Sequence, residues 1–127
     1  MAAETLKATA EKLVAHCRSG TTKQGLDELY ASDAVSVEAM TMPGTDSPET
    51  RGVEGIRGKH EWWENTMEVH SASADGPFLH GEDRFAVIFA FDATDKNSGK
   101  RNQMQEVAIY TVDPSGKIVR EEFYYNA

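Results

Sequence analysis

Two glutamates are the strongest candidates for chemistry in this sequence, and the first lies in a strand predicted over residues 35–40. Apolar and polar side chains alternate there, which places Glu38 and Met40 on one face. A carboxylate that lines an apolar wall has a raised pKa, and this suits it to accept and return a proton near neutral pH. We therefore predict Glu38 as a general base; the alternative is a strand-edge glutamate that faces water or pairs with Arg51 or Arg57.

The second glutamate, Glu106, lies in a predicted strand whose register leaves two interpretations open. If Glu106 faces the core, Ala108 and Tyr110 face it too, because side chains alternate along a strand. If Val107 and Ile109 face the core instead, Glu106 is solvated. The first register would place an acid and a phenol along one wall, and it would let the two glutamates work as an acid/base pair, which is the pair we prefer.

His60 adds a titratable group at helical spacing from an aromatic side chain. Trp63 follows it on the same face of a predicted helix, whereas Trp62 cannot face the same way. Histidine titrates near pH 6.5, so His60 could bond a carboxylate or a ligand, although a lone helical histidine is more often satisfied by a neighbouring side chain. The other histidines have no partner at metal-ligand spacing, and we expect neither a metal nor a cofactor.

Hydrophobic periodicity predicts two helices in front of the strand that carries the first glutamate. Residues 4–18 have apolar side chains at helical spacing, and Gly20 follows where a left-handed C-terminal cap would stand. Thr21 and Gln24 resemble a capping box, which predicts a second helix that ends near Asp33.

The segment after the first strand is predicted to form a loop and then a third helix. Residues 41–52 contain Pro43-Gly44 and Ser47-Pro48, too many breakers for a long element. Beyond them, apolar and aromatic side chains recur every three to four residues, which predicts a helix. The side chains of this stripe are Val53, Ile56, His60, Trp63 and Met67.

The C-terminal half is predicted to form an antiparallel meander of four strands, separated by turn sequences and rich in Val, Ile, Phe, Tyr and Thr. The predicted strands cover residues 68–75, 84–94, 102–112 and 117–125. The second of them is apolar on both faces, with Phe85, Val87, Phe89 and Phe91 on one and Ala86, Ile88 and Ala90 on the other. Three short helices cannot cover both sides of such a sheet, so we expect a homodimer.

Composition limits the classes of partner. The chain has 127 residues, 39% hydrophobic and 27% charged, which fits one soluble domain with its own core. A net charge of -8 makes nucleic acid and anionic membranes poor partners. Cys17 is the single cysteine and cannot form an internal disulfide, and no apolar run reaches membrane-spanning length. We expect a cytoplasmic location.

Three short segments, in this order and spacing, carry a family resemblance: Leu29–Val35 at the end of the second helix, Arg51–Arg57 at the start of the third, and Gly116–Glu122 at the start of the last strand. They resemble the fold of nuclear transport factor two, the ketosteroid isomerases and the SnoaL-like polyketide cyclases. The resemblance covers almost the whole chain and implies one SnoaL-like domain over residues 1–127. It implies an α+β fold, in which three helices from the N-terminal half pack on the concave face of a cone-shaped, strongly curved mixed or antiparallel sheet.

The resemblance also implies a deep apolar pocket inside the curved sheet and roles for the candidate residues. Glu38 falls where ketosteroid isomerases place the aspartate that removes a proton next to a carbonyl group. Glu106 lies in the strand that carries an oxyanion donor in the isomerases and an acid/base carboxylate in the cyclases. His60 lies on the helix that covers the pocket. The same faces would bring three further side chains to a small apolar ligand: Met40, Trp63 and Tyr110.

The sequence departs from the isomerases in the first helix, where they supply a tyrosine to the oxyanion hole. The matching residues 12–15 read Lys-Leu-Val-Ala, and the lost hydrogen bond argues against steroid isomerisation. The middle strands also lack the arginine and aspartate pairs of the epoxide hydrolases. We expect isomerase-like or cyclase-like acid/base chemistry on a small apolar carbonyl compound; the alternatives are a non-catalytic small-molecule-binding protein and a dimeric interaction module.

Overall fold

The computed structural model describes residues 2–41 and 45–125, which form three helices and one six-stranded sheet. The elements in chain order are α1 (Ala2–Ser19), α2 (Thr22–Leu29), β1 (Tyr30–Val37), β2 (Glu49–Arg51), α3 (Val53–Thr66), β3 (Met67–His80), β4 (Arg84–Asp95), β5 (Arg101–Val112) and β6 (Ile118–Tyr124). The sheet order is β2-β1-β6-β5-β4-β3, with β1 and β6 parallel and the other pairs antiparallel. The predicted α+β class with a mixed sheet is confirmed; the sheet is open and does not close into a barrel.

The core lies between the helices and one face of the sheet, which we call the inner face. On β4, Phe85 and Val87 point to this face and are fully buried. The apolar stripe of α1 packs against them, and Ile56 closes the core from α3. The predicted helix over residues 4–18 is confirmed, and Gly20 ends it with a φ of 71°, the left-handed geometry expected of a glycine cap.

The boundary between α2 and β1 differs from the prediction. Thr21 precedes α2, but its hydroxyl lies 2.8 Å from His16 Nδ1 and makes no capping bond, so the predicted capping box is wrong. The helix ends at Leu29, and Tyr30 already pairs with Ile118 of β6. Pairing with β6 holds this segment extended, which is why β1 begins before Asp33 and ends at Val37 instead of residue 40.

The predicted loop over residues 41–52 contains a short strand. Glu49–Arg51 pairs antiparallel with β1, with Val35 opposite Arg51 and Val37 opposite Glu49. Three residues show too little alternation to be recognised in a sequence, and the neighbouring strand stabilises them. The Pro43-Gly44 part of the prediction lies outside the described residues.

The predicted meander is confirmed, with one difference in β3. This strand continues through Gly76-Pro77, a cis peptide bond, to His80, where the sequence predicted an end at residue 75. The pairing register with β4 shifts between Asp75 and Phe78, so the two breakers are accommodated as a bulge. Because β3 is an edge strand, a proline removes no hydrogen bond from the sheet interior.

The opposite side of the sheet, the outer face, is partly apolar and exposed. Phe78 is 52% exposed and Tyr124 is 51% exposed, and Val107 lies beside Tyr124 in the register of β5 and β6. None of the helices within residues 2–41 and 45–125 has the length and apolar character needed to cross a membrane.

Candidate functional site

Strand pairing places Glu106 on the inner face of the sheet. Glu106 lies opposite Phe89 of β4, and the same alternation buries Ala108 and Tyr110. Val107 points to the outer face and is exposed. Of the two registers that the sequence left open, the structure has the one in which Glu106, Ala108 and Tyr110 face inward.

Glu38 follows the last residue of β1 and has two partners. Lys59 Nζ lies 2.7 Å from its Oε1, and the Tyr125 hydroxyl donates to its Oε2 over 3.1 Å. Neither arginine that the sequence offered as a partner makes this contact, because Arg51 bonds Glu49 and Arg57 bonds Asp27. Glu38 therefore belongs to an ion pair, and its partner is Lys59 and neither of the two arginines that the sequence suggested.

Lys59 is a functional candidate that the sequence analysis missed. It projects from α3 one turn after Ile56, and its Nζ also donates to Ser36 Oγ. The ammonium group lies 4.9 Å from the centroid of the Phe123 ring, within range of a cation–π interaction. The sequence does contain an indication of this role. Lys59 lies at helical spacing from Ile56 and Trp63, which places a positive charge on the side of the helix that faces the core.

Glu121 is the second residue that was missed, and it is the most deeply buried carboxyl group of the site, with 1% exposure. Tyr30 donates its hydroxyl to Oε1, and Ser36 Oγ donates to Oε2 over 2.6 Å. Glu121 stands in the register of β1 and β6 directly opposite Ser36. A continuous polar network thus runs through the inner face, in the order Tyr30, Glu121, Ser36, Lys59, Glu38 and Tyr125.

Glu106 lies beside this network and has a strongly perturbed proton affinity. Its pKa is raised to about 7: burial is the largest cause, the negative charges of Glu38 and Glu121 act in the same direction, and the positive charge of Lys59 opposes them. Among the described residues, no donor lies within hydrogen-bond distance of its carboxyl group. A carboxyl group with this pKa can both take and give a proton near neutral pH.

His60 is largely buried and lies close to the same charges. Burial lowers its pKa, and the positive charge of Lys59 does so as well, while Glu121 and other carboxylates act in the opposite direction. The imidazole is therefore mainly neutral near pH 7. On the same helix, Trp63 packs on Phe91 with ring centroids 5.4 Å apart.

The two other predicted ligand-binding side chains lie apart from each other. Tyr110 is buried and stacks on Phe85 with ring centroids 4.8 Å apart; burial, followed by the charge of Glu121, raises its pKa. Met40 lies in the bend after Glu38 and is 39% exposed. The roles of Met40, Trp63 and Tyr110 in ligand binding remain predictions.

An open cavity of about 580 Å³ lies at the end of β1 and β6. Glu38 and Phe123, the two side chains that contact the Lys59 ammonium group, contribute to its wall together with Tyr125. The lining residues are Val37, Glu38, Ala39, Gln105, Glu122, Phe123, Tyr124 and Tyr125. In the described part of the chain, no three His, Cys, Asp or Glu side chains are arranged to hold a metal ion.

Comparison with a family model and with solved structures gives the same family. Residues 5–125 match the family model of the SnoaL-like domain. A structure from Mesorhizobium loti, named provisionally as a SnoaL-like polyketide cyclase and carbohydrate phosphatase, is 38% identical with a TM-score of 0.86 and covers 94% of this chain and 97% of its own. No curated protein shows significant sequence similarity to the chain.

More distant structures share the fold. The Δ5-3-ketosteroid isomerase from a Mycobacterium species is 20% identical with a TM-score of 0.68, covering 96% of this chain and 93% of that one. A Mycobacterium tuberculosis protein, solved in complex with estradiol-17β-hemisuccinate, is 16% identical with a TM-score of 0.70. The match covers 98% of this chain and 94% of that one. The family match over nearly the whole chain, together with the 38% identity to the Mesorhizobium structure, shows that this chain belongs to the SnoaL-like domain family.

Proposed function

We propose that this protein moves a proton on a small apolar carbonyl compound, with Glu106 as the group that takes and returns it. The observation that carries the proposal is the carboxyl group of Glu106, which faces inward, has no hydrogen-bond donor among the residues that the structure describes, and has its pKa raised to about 7 by burial and neighbouring charge. Solved structures with this fold include a ketosteroid isomerase and a protein named provisionally as a polyketide cyclase, which supports acid/base chemistry as the reaction class.

The proposed step needs no redox partner. The ionised carboxylate of Glu106 removes a proton from the carbon next to a carbonyl group, the C–H electron pair forms a C=C bond, and the carbonyl π electrons move to oxygen. Return of the proton to a different carbon gives isomerisation. Cyclisation follows if the enolate carbon attacks a second carbonyl group; the π electrons of that group move to its oxygen, which takes the proton from Glu106. Glu106 suits this step because near pH 7 both of its protonation states are populated.

Glu38 has a different role in this proposal from the general base that the sequence suggested. Its two oxygens already accept hydrogen bonds from Lys59 and Tyr125. Its negative charge is one of the causes of the raised pKa of Glu106. Glu38 therefore tunes the proton affinity of Glu106 and holds Lys59 in place.

Exchange of carbon-bound hydrogen for deuterium tests the proposal without knowledge of the natural substrate. The probes are 2-tetralone and 2-cyclohexenone in D₂O, followed by NMR. Wild-type protein should accelerate the exchange next to the carbonyl, and Glu106→Gln should reduce this acceleration by about a hundredfold or more, the usual contribution of a positioned base. Glu64→Gln is the matched control, since Glu64 lies on the exposed side of α3 beside Lys23. Unchanged exchange by a folded Glu106→Gln variant would contradict the proposal.

A non-catalytic binding protein is the second candidate, and the hydrogen bonds that already occupy both oxygens of Glu38 favour it. A protein that only binds would retain a small molecule through native purification, and mass spectrometry would identify it. Retention of a carbonyl compound with no acceleration of exchange in any probe would support this candidate over the enzyme.

We also propose that the outer face of the sheet pairs with a second copy of the chain. The observation behind this is the exposed apolar surface formed by Phe78, Val107 and Tyr124. Light scattering should give twice the chain mass at micromolar concentration, and Val107→Asp should shift the protein toward the monomer. A wild-type monomer would overturn the proposal, and co-purification of an unrelated chain would indicate a different partner for this face.

A further inference from the structure

Proton removal next to a carbonyl group leaves negative charge on the carbonyl oxygen, and a catalyst for this step stabilises that charge with hydrogen-bond donors. The first helix of this chain offers no tyrosine for the purpose at residues 12–15. Other phenols lie nearby, at Tyr30, Tyr110 and Tyr125, but their positions do not suit this role. The hydroxyl of Tyr30 donates to Glu121, and that of Tyr125 donates to Glu38. Tyr110 is 3% exposed and stacked on Phe85.

Lys59 has the geometry that these phenols lack. An ammonium group has three N–H donors. Two of them reach fixed acceptors, Glu38 Oε1 at 2.7 Å and Ser36 Oγ. Within residues 2–41 and 45–125, no third oxygen accepts from this nitrogen.

The position of the ammonium group is also fixed before any ligand binds. Ser36 is itself anchored, since its hydroxyl donates to the buried Glu121, and the ring of Phe123 lies beneath the ammonium nitrogen. Phe123 and Glu38 both line the open cavity, and the Lys59 side chain keeps 20% of its surface exposed. A donor held by two partners next to open space requires little reorganisation when charge develops.

We propose that Lys59 donates its third N–H to the ligand oxygen on which negative charge develops, and that it is thereby a catalytic residue of the proposed proton transfer. This inference rests on the proposed function for its chemical step. The proton passes from the ligand carbon to Glu106, the electron pair passes to the ligand oxygen, and Lys59 keeps its own proton while donating a hydrogen bond. Glu106 lies two residues before Ala108 on the inner face, and Ala108 stands opposite Phe123, whose ring lies beneath the Lys59 nitrogen, so the two groups are on the same part of this face.

A phenol whose colour reports its ionisation tests the inference directly. The probe is 4-nitrophenol, whose anion resembles an enolate oxygen, and nitrobenzene is the matched probe without that oxygen. Lys59→Met should weaken binding of the 4-nitrophenolate anion by about tenfold or more, the scale of a hydrogen bond to a charged group. It should also raise the apparent pKa of the bound phenol, while binding of nitrobenzene changes by less than about twofold.

Two further variants separate direct contact from general charge effects. Arg57→Met removes a positive charge from the same helix, but Arg57 pairs with Asp27 and Glu54 on the protein surface, so binding of the anion should be unchanged. Lys59→Arg should retain part of the affinity. Equal losses for both probes in Lys59→Met would overturn the inference and assign Lys59 a structural role, and failure of the wild-type protein to bind 4-nitrophenolate more tightly than nitrobenzene would also overturn it.

The role of Lys59 can be tested independently of the proposed function. The comparison is repeated in a Glu106→Gln background, which cannot transfer the proton to a carboxylate, and the loss caused by Lys59→Met should persist there. If Lys59→Met fails to fold because Glu38 loses its counter-charge, the double variant Lys59→Met/Glu38→Gln removes both charges and is compared with Glu38→Gln alone. Loss of exchange activity in Glu106→Gln without any effect of Lys59→Met on the probe would support the proposed function and overturn this inference.

Discussion

Two carboxyl groups on the inner face, Glu121 and Glu106, differ in burial and in hydrogen bonding. Their comparison shows what separates a structural carboxyl group from one that can transfer a proton. Glu121 is 1% exposed, yet both of its oxygens accept hydrogen bonds from the hydroxyls of Tyr30 and Ser36. Glu106 is less buried and has no such donor among the described residues, and its pKa rises to about 7. Hydrogen-bond donors, more than depth, therefore decide which carboxyl group is fixed and which can move a proton.

The largest effect is expected for Glu121, the more deeply buried of the two carboxyl groups. Glu121→Leu keeps much of the side-chain volume but removes the acceptor from two buried hydroxyls, so the free energy of unfolding should fall by about 4 kcal/mol. Urea denaturation followed by circular dichroism measures this change. Glu122→Leu, the adjacent residue on the outer face, is the control and should change stability by less than about 1 kcal/mol. Equal effects of the two variants would mean that the buried network does not stabilise the fold.

The next effect is a pH dependence of the free energy of unfolding, caused by Glu106. Burial, together with the nearby negative charge of Glu38, raises the pKa of Glu106 from 4.5 to about 7, so the folded protein holds this proton more tightly than the unfolded chain does. The corresponding stabilisation is complete below about pH 4.5 and is lost as the pH rises through about 7. Glu106→Gln should therefore match the wild-type stability at pH 4 and exceed it at pH 8 by up to about 3 kcal/mol.

Urea titrations of both proteins at several pH values measure this difference, and the other carboxyl groups cancel because both proteins contain them. A difference that does not grow between pH 4 and pH 8 would show that Glu106 titrates like an exposed glutamate, and the contrast with Glu121 would be lost.

The smallest effect is expected for Glu38→Gln, which keeps the shape of the side chain and removes its charge. Loss of the half-buried ion pair with Lys59 should cost about 1 kcal/mol in the free energy of unfolding. Because the charge of Glu38 helps to raise the pKa of Glu106, this pKa should fall in the variant. The pH dependence of exchange and the ¹³C shift of the Glu106 carboxyl both report the fall. An unchanged Glu106 pKa would show that burial alone sets it.

Much of the fold could be predicted because it depends on local patterns. Alternation along β4 and β5 predicted which side chains share a face, and it placed Glu106 in one of two registers. The start of β1 and the existence of β2 could not be predicted in this way, because pairing with distant strands stabilises both segments. Local propensity is a weak guide where tertiary pairing decides the backbone conformation.

The polar network was less predictable than the fold because its members are far apart in the sequence. Glu38 and Lys59 are separated by 21 residues, and Ser36 and Glu121 by 85. Glu121 stands in a run that reads Arg-Glu-Glu, a pattern typical of a solvated strand end. Only the parallel pairing of β1 with β6 brings this carboxyl group beneath the hydroxyl of Ser36.

That same parallel pairing has a consequence for biosynthesis. The acceptor for Tyr30 lies 91 residues further along the chain, so during translation the hydroxyl of Tyr30 emerges well before the carboxyl group with which it pairs. Closing a loop of this length costs chain entropy that local contacts do not repay, which is typical of proteins that fold slowly. The site is therefore completed only once β6 has left the ribosome, and a nascent chain stalled before residue 121 would lack the carboxyl group that anchors Ser36, one of the two partners of Lys59.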